Sequence, residues 1–258
     1  MSKKNSIVLN HKACFKKSKR IQEIYNNFKL QIKKFKSNSY LAAISGGPDS
    51  LALAAMCKAY SNEDKKKKFY FVIVNHGIRK NSKLECLFVK KILDKQNIKI
   101  KIITNKKKIT NNIQHLARKV RYEALFKECK NKNIKNLLVA HHREDQIETF
   151  LIRLSRGSGV QGLSAMSNIY SLDQGIKVLR PFLNTKKKDL IFVSKKIFGT
   201  YVKDPSNSSQ KFLRVRIRRL LPILKKSGIA EEQIIKSINN LKSSSNTINK
   251  YIDEISNK

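Results

Sequence analysis

Short runs of consecutive apolar residues alternate along the chain with longer stretches in which apolar residues return every three or four positions. The runs at 40–44, 69–74, 98–103, 137–140 and 176–179 predict strands, because a strand buried on both faces shows little polar alternation. The longer stretches predict helices. Residues 50–60 are rich in Leu, Ala and Met; residues 82–96 space Leu84, Leu87, Phe88 and Ile92 at helical intervals; residues 112–130 do the same with Ile113, Leu116, Ala117, Val120, Ala124 and Leu125. Strands joined by helix-length crossovers imply an α/β fold: a doubly wound, mainly parallel five-stranded sheet with helices on both faces.

From Asp204 the pattern changes. Asp204, Pro205, Ser206 and Asn207 read as a turn, four arginines crowd the start of a helical stretch, and beyond Pro222 the sequence is helical and polar. One main domain over 1–222 and a short helical C-terminal extension over 223–258 are expected. No apolar run approaches the ~20 residues that span a membrane, and residues 1–20 lack the apolar core of a signal peptide, so a cytoplasmic protein without membrane contact is expected.

Ligands of a doubly wound sheet bind beyond the carboxyl ends of its strands. Three polar clusters fall at that rim: Ser45-Gly46-Gly47-Pro48-Asp49-Ser50, then Asn75-His76-Gly77, then His141-His142-Arg143-Glu144-Asp145. A strand, a Ser-Gly-Gly-x-Asp-Ser loop and a helix can cradle phosphate, since glycines let the backbone approach and the helix start holds an anion. No Walker lysine follows, so this is not the loop of the common nucleotide triphosphatases. Asp49 either caps the helix or holds a Mg²⁺ that bridges to phosphate. Glu144 and Asp145 suit either the first turn of a helix or, for Asp145 in particular, a Mg²⁺ ligand. Arg118 and Arg121 share a helix face beside Tyr122, and spacing alone fits solvated surface cations equally well. The stretch Arg156-Gly157-Ser158-Gly159 fits a phosphate loop or a helix end.

Charge changes the picture. Against 18 Asp and Glu stand 56 Lys and Arg, a formal excess of +38 that matches a polyanionic partner, nucleic acid first, even with a share assigned to a Lys-, Asn- and Ile-rich coding bias. Arg214, Arg216, Arg218 and Arg219 are candidate phosphate contacts, or else a solvated basic helix end. Cys14, Cys57, Cys86 and Cys129 are scattered without a C-x-x-C pair, which points away from a zinc site or a disulfide framework.

Taken together, SGGPDS (45–50), VNHGIR (74–79), ARKVRYEAL (117–125), AHHREDQIETFLIRLSRGSGVQGLSAM (140–166), LRPFL (179–183), KDPSNSS (203–209) and FLRVRIRRLLP (212–222) resemble the tRNA(Ile)-lysidine synthetases, a family of pyrophosphatase-loop ATP enzymes. SGGxDS alone marks the superfamily; the long 140–166 stretch with the DPSN and arginine segments is more specific. The resemblance implies an adenine-nucleotide α-hydrolase, Rossmann-like fold and a ligase that uses ATP and Mg²⁺. Its implied partners are an isoleucine tRNA with a CAU anticodon and free L-lysine.

By that resemblance, Ser45, Gly46, Gly47, Pro48, Asp49 and Ser50 bind the pyrophosphate moiety of ATP, and His142 shapes the nucleotide pocket. Asp49 and Asp145 are the Mg²⁺ ligands, Arg118 or Arg121 contacts the activated intermediate, and the four arginines at 214–219 grip tRNA. Glu144 stands where many members carry Asp, so the carboxylate role goes to Asp145. Members commonly add C-terminal domains that hold the tRNA; with only residues 223–258 past Pro222, the basic charge is expected to substitute partly through non-specific phosphate contacts. The oligomeric state stays open, a homodimer among the options. Three rivals also stay open: a tRNA thiolase, which needs paired cysteines; an amide-forming adenylating enzyme, for which +38 has no use; and an RNA-binding module with a decayed ATP loop.

Overall fold

The alternation of side chains along each strand decides which residues cover which face of the sheet. The computed structural model describes residues 15, 17–78, 81–105, 113–171, 175–204 and 212–256. Its strands are β1 (Ser39–Ile44), β2 (Lys68–Asn75), β3 (Ile100–Thr104), β4 (Asn136–Leu138), β5 (Ile169–Ser171) and β6 (Lys177–Leu179). They form one sheet in the order β3-β2-β1-β4-β6-β5, parallel except for β5. All five expected strands are present. The sixth, β5, pairs antiparallel with β6 at the sheet edge; it is exposed along its length and carries no apolar run, so hydropathy could not reveal it.

The helices are α1 (Lys19–Lys33), α2 (Pro48–Glu63), α3 (Ser82–Asp94), α4 (Ile113–Asn131), α5 (Arg143–Leu154), α6 (Val160–Leu163), α7 (Lys187–Phe198), α8 (Leu213–Lys226) and α9 (Glu231–Ser256). The chain divides into two compact units: Met1–His141 with Ile169–Lys203, and His142–Asn168 with Asp204–Lys258. Pro222, expected to mark the start of the extension, lies inside α8. No helix among the described residues is long and apolar enough to cross a membrane.

In the first unit, Tyr40, Ala42, Ile44, Phe71 and Ile73 point into a core shared with α1, α2, α3 and α7. Their neighbours Leu41, Val72 and Val74 point into a second core with α4. Both faces are thus covered, as a doubly wound sheet requires. Helix α2 is buried from Ser50 through Cys57, which explains why its sequence shows no polar stripe. Helix α1 starts at Ser18, whose side chain accepts from the Ile21 N–H, and lays Ile21, Ile24, Phe28 and Ile32 on the same core. In the second unit, α5 and α9 bury Ile147, Ile234 and Ile238 with Ala165. The segment after α5 is tied back to it. The Gln146 amide donates to the Met166 carbonyl and accepts from its N–H, each at 2.7 Å, and Arg153 donates to the carbonyls of Gly162 and Ala165.

Helix α3 departs from expectation. Its inward face is Cys86, Val89, Ile92 and Leu93, whereas Leu84, Leu87 and Phe88 are 64%, 47% and 45% exposed. Both stripes have helical spacing, so periodicity could not choose between them. The smaller side chains won because this helix lies close to a glycine loop, described below. Leu93→Ala is therefore expected to cost about 2–5 kcal/mol of stability, while Leu84→Ala stays within about 0.5 kcal/mol, both read from urea denaturation midpoints.

Candidate active site

Strand order reverses at β1: the chain steps outward to β2 and β3, then returns to place β4 on the other side of β1. The loops that leave the carboxyl ends of β1 and β4 therefore flank the switch point, where such sheets bind ligands. Loop 45–50 leaves β1 there. Gly46 turns the chain at φ +85°, and a Cβ on it would lie 2.5 Å from a methyl of Val89 and 3.1 Å from a methyl of Val202. Its carbonyl also accepts from the Val202 N–H at 2.9 Å. Ser50 braces the loop from inside: its hydroxyl accepts from the Ser45 N–H at 3.1 Å and donates to the Gly47 carbonyl at 2.9 Å.

Gly47 is different. It is the N-cap of α2 at φ −69°, no side chain caps the helix start, and a Cβ there would meet only the Ser45 hydroxyl at 3.7 Å. Pro48 takes the first helical turn, where its missing N–H costs nothing. An uncapped helix start carries first-turn N–H groups and the positive end of the dipole, which together hold an anion. Asp49 lies in that turn.

The rim beyond β2 and β3 belongs to the same unit. Asn75 is buried and its side chain accepts from the Gly77 N–H at 3.0 Å, while the Asn105 N–H bonds to the Asn75 carbonyl at 2.9 Å. This fixes His76 and Gly77 at the strand end; Arg79, the last residue of the VNHGIR stretch, lies outside the described residues. On α4, the Arg118 guanidinium stacks 4.9 Å from the Tyr122 ring and Arg121 lies 5.9 Å from it. Burial, followed by the neighbouring Arg118 charge, pulls the Arg121 guanidinium below its usual pKa range.

In the second unit, His142 caps α5. Its Nδ1 accepts from the Asp145 N–H at 3.4 Å, and the Asp145 carboxylate accepts in return from the His142 N–H at 3.0 Å. Glu144 Oε2 lies 3.1 Å from the same imidazole nitrogen. The arginines of α8 divide in two. Arg214 and Arg218, one turn apart, reach the carboxylates of Asp145 (3.8 Å) and Glu148 (the second contact at 3.1 Å). Arg216 and Arg219 are exposed. Glu148 is 1% exposed and fully held by Arg218; sequence reasoning passed over it, because neither member of the pair signals its partner seventy residues away. Of the expected DPSN turn only Asp204 is described; Pro205, Ser206 and Asn207 lie outside the described residues.

Among the described residues no three His, Cys, Asp or Glu side chains are grouped as a metal site. Mg²⁺ needs fewer: one or two carboxylates, with substrate phosphates and waters completing the shell. Asp49 at the helix start and Asp145 at the start of α5 are hard oxygen donors of that kind.

A doubly wound α/β domain with an anion cradle at its switch point is the class that this fold and loop define. The chain belongs to the PP-loop domain family, which matches residues 16–224. It is 37% identical over 219 residues to the tRNA(Ile)-lysidine synthase of Wolbachia pipientis wMel, covering 84% of this chain and 51% of that protein. Against the tRNA(Ile)-lysidine synthase of Orientia tsutsugamushi it is 40% identical over 191 residues, covering 72% of this chain and 42% of that one. The chain thus spans about half the length of the curated relatives it matches. Among solved structures, the U34-tRNA thiolase NcsA from Methanococcus maripaludis superposes with a TM-score of 0.71 at 18% identity, over 86% of this chain and 79% of that one, which is a likeness of fold.

The two glycines are expected to fail differently when substituted. Gly46→Ala must push aside Val89 at a positive φ and should lose about 1–3 kcal/mol of stability. Gly47→Ala should melt like the parent, because its methyl meets only the Ser45 hydroxyl, yet lose ATP protection in a thermal-shift assay if the loop backbone approaches the phosphates. Arg218→Ala leaves the Glu148 carboxylate buried alone and should lose about 3–5 kcal/mol, whereas Arg216→Ala stays within about 0.5 kcal/mol; chemical denaturation separates them.

Proposed function

We propose that this chain carries the chemistry of a tRNA(Ile)-lysidine synthetase: it activates the C2 oxygen of the wobble cytidine of a CAU-anticodon isoleucine tRNA with ATP, then joins free lysine to C2. The observation that carries this reading is the loop 45–50, an uncapped helix start behind a glycine wedged against the protein at the switch point of the sheet. The similarity to tRNA(Ile)-lysidine synthases over most of the chain supports the choice of substrate.

In the proposed reaction the loop backbone and the α2 dipole hold the β- and γ-phosphates of ATP as the leaving pyrophosphate. The cytidine O2 attacks the α-phosphorus, and the P–O bond to pyrophosphate breaks. The ε-amine of lysine then attacks C2, loses a proton, and AMP leaves with the former O2. Lysidine results; it pairs with adenine and moves the tRNA from methionine to isoleucine identity. Mg²⁺, when bound, supplies the charge neutralisation that phosphoryl transfer needs. Asp49 and Asp145 are the carboxylates proposed to hold it. His142 positions Asp145 through the helix cap, and Arg118 or Arg121 neutralises charge on the adenylate.

Sulfur transfer is less well supported. Cys57, Cys86 and Cys129 are buried and unpaired with one another, and burial pushes Cys129 up to about 12 and Cys57 well above the usual thiol range. Thiols held protonated in a core are poor sulfur carriers.

The reading is tested by mass analysis of nucleosides after incubating the CAU-anticodon tRNA with protein, ATP, Mg²⁺ and lysine. Lysidine is expected, and Asp49→Ala should reduce it at least a hundredfold; a different modified base, or none while RNA binding persists, contradicts the proposal. Binding to tRNA should also weaken steeply with salt, and Arg216→Ala or Arg219→Ala should each lower the log–log salt slope by about 1. A flat salt response would remove the role given to the basic charge.

A further inference from the structure

Helix α3 turns its larger side chains outward at the end of the sheet where loop 45–50 lies. Strands β1 and β2 are parallel, so the carboxyl end of β2, from which the chain enters α3, shares a rim with that loop. Ile78 follows β2 there at 38% exposure, and Leu84, Leu87 and Phe88 share one face of the first two turns of α3 at 64%, 47% and 45%. The inner face of the same helix packs on the loop, where a Cβ on Gly46 would meet Val89 at 2.5 Å. The apolar face and the loop are thus separated by little more than the thickness of one helix, about 10 Å. Exposed apolar side chains grouped so close to an anion cradle mark an interaction surface.

Charge and chemistry decide what covers it. Lys91 stands one turn beyond Leu87 and Phe88, Lys83 one turn before Leu87, and both are exposed. From Ile78 to Lys99 seven Lys and Arg are set against Glu85 and Asp94, a net of +5, and α3 alone keeps the positive sign. A second copy of the chain would bring these cations against their own kind, whereas a polyanion is attracted. The proposed reaction adds a reason for apolar surface. A cytidine O2 cannot reach the α-phosphorus while its base is stacked among its neighbours, and withdrawing that base uncovers their faces. An aromatic ring with cations one turn away on the same helix is the pairing that holds a single strand: the ring stacks on a base and the ammonium groups meet the flanking phosphates.

On the reading that the substrate is a tRNA, we infer that Phe88, flanked by Leu84 and Leu87, is a stacking platform for an unpaired nucleotide of the anticodon loop beside the cytidine being activated, with Lys83 and Lys91 on its phosphates. Phe88 holds the RNA and takes no part in the bond changes at loop 45–50.

Binding and turnover of the CAU-anticodon tRNA by the full chain test this. Phe88→Ala should weaken tRNA binding, measured without ATP, about tenfold, leave the slope of log affinity against log salt unchanged, and raise the KM for tRNA without changing that for ATP. Phe88→Tyr should bind like the parent and Phe88→Leu should not, while Lys91→Ala should lower the salt slope by about 1. Leu30→Ala, which truncates an exposed leucine on α1, is the control and should change nothing. Because Phe88 is on the surface, its variants should melt with the parent, which separates lost binding from lost fold. Lysidine formation with an unchanged tRNA affinity and KM in Phe88→Ala overturns the inference and leaves the lysidine reading intact. Binding of tRNA that depends on the ring, while another modified base or none is made, removes the lysidine reading and supports the RNA platform. Phe88→Leu that binds as well as the parent excludes stacking. Adsorption to phosphatidylserine vesicles that Phe88→Ala abolishes, with tRNA affinity unchanged, assigns the face to a membrane and likewise overturns the inference.

Discussion

The close approach of Gly46 to two valines governs the geometry of the site. With Val89 on one side and Val202 on the other, Gly46 has no room for a side chain, and its carbonyl is pinned by the Val202 N–H. That contact sets where α2 begins. It also sets the rotation of α3, because only a face of small and β-branched residues fits beside the loop, and so Cys86 and Val89 turn inward while Leu84, Leu87 and Phe88 turn out. The conformational work is done by one glycine packed against protein, which leaves Gly47 and the uncapped helix start open for the proposed phosphate contact. Two adjacent glycines that read alike in sequence thus have separate duties.

The strands and the loop were legible because each depends on local information. A fully buried parallel strand writes itself as an apolar run, and a phosphate cradle needs glycines at a strand-to-helix turn. What could not be read is what depends on distant partners. The edge strand β5 exists through its pairing with β6, with nothing apolar to announce it. The orientation of α3 depends on the Gly46 loop against Val89, some forty residues away. The pairing of Glu148 with Arg218 joins two helices whose sequences each look like ordinary amphipathic surface. The arginine cluster read as a uniform basic patch; in the fold, Arg214 and Arg218 reach carboxylates of α5.

That division changes how the large positive charge is understood. Part of it is paired: Arg218 holds the buried Glu148 carboxylate of α5, and the exposed Arg214 lies 3.8 Å from Asp145 at the start of that helix. Arg216 and Arg219 are exposed on the same helix as these two arginines. The same helix segment therefore ties α5 down and carries the exposed cations for which a phosphate contact is proposed.

Loop 45–50 is proposed to direct attack on the α-phosphorus of ATP by a tRNA oxygen. Incubating the protein and the CAU-anticodon tRNA with ATP labelled at either the α- or the γ-phosphate, with lysine withheld, isolates that step. The account predicts that α-label becomes attached to the tRNA and is released as AMP when lysine is added, while γ-label appears only in pyrophosphate. Transfer of γ-label to the RNA, or pyrophosphate release that proceeds equally well without tRNA, would contradict it.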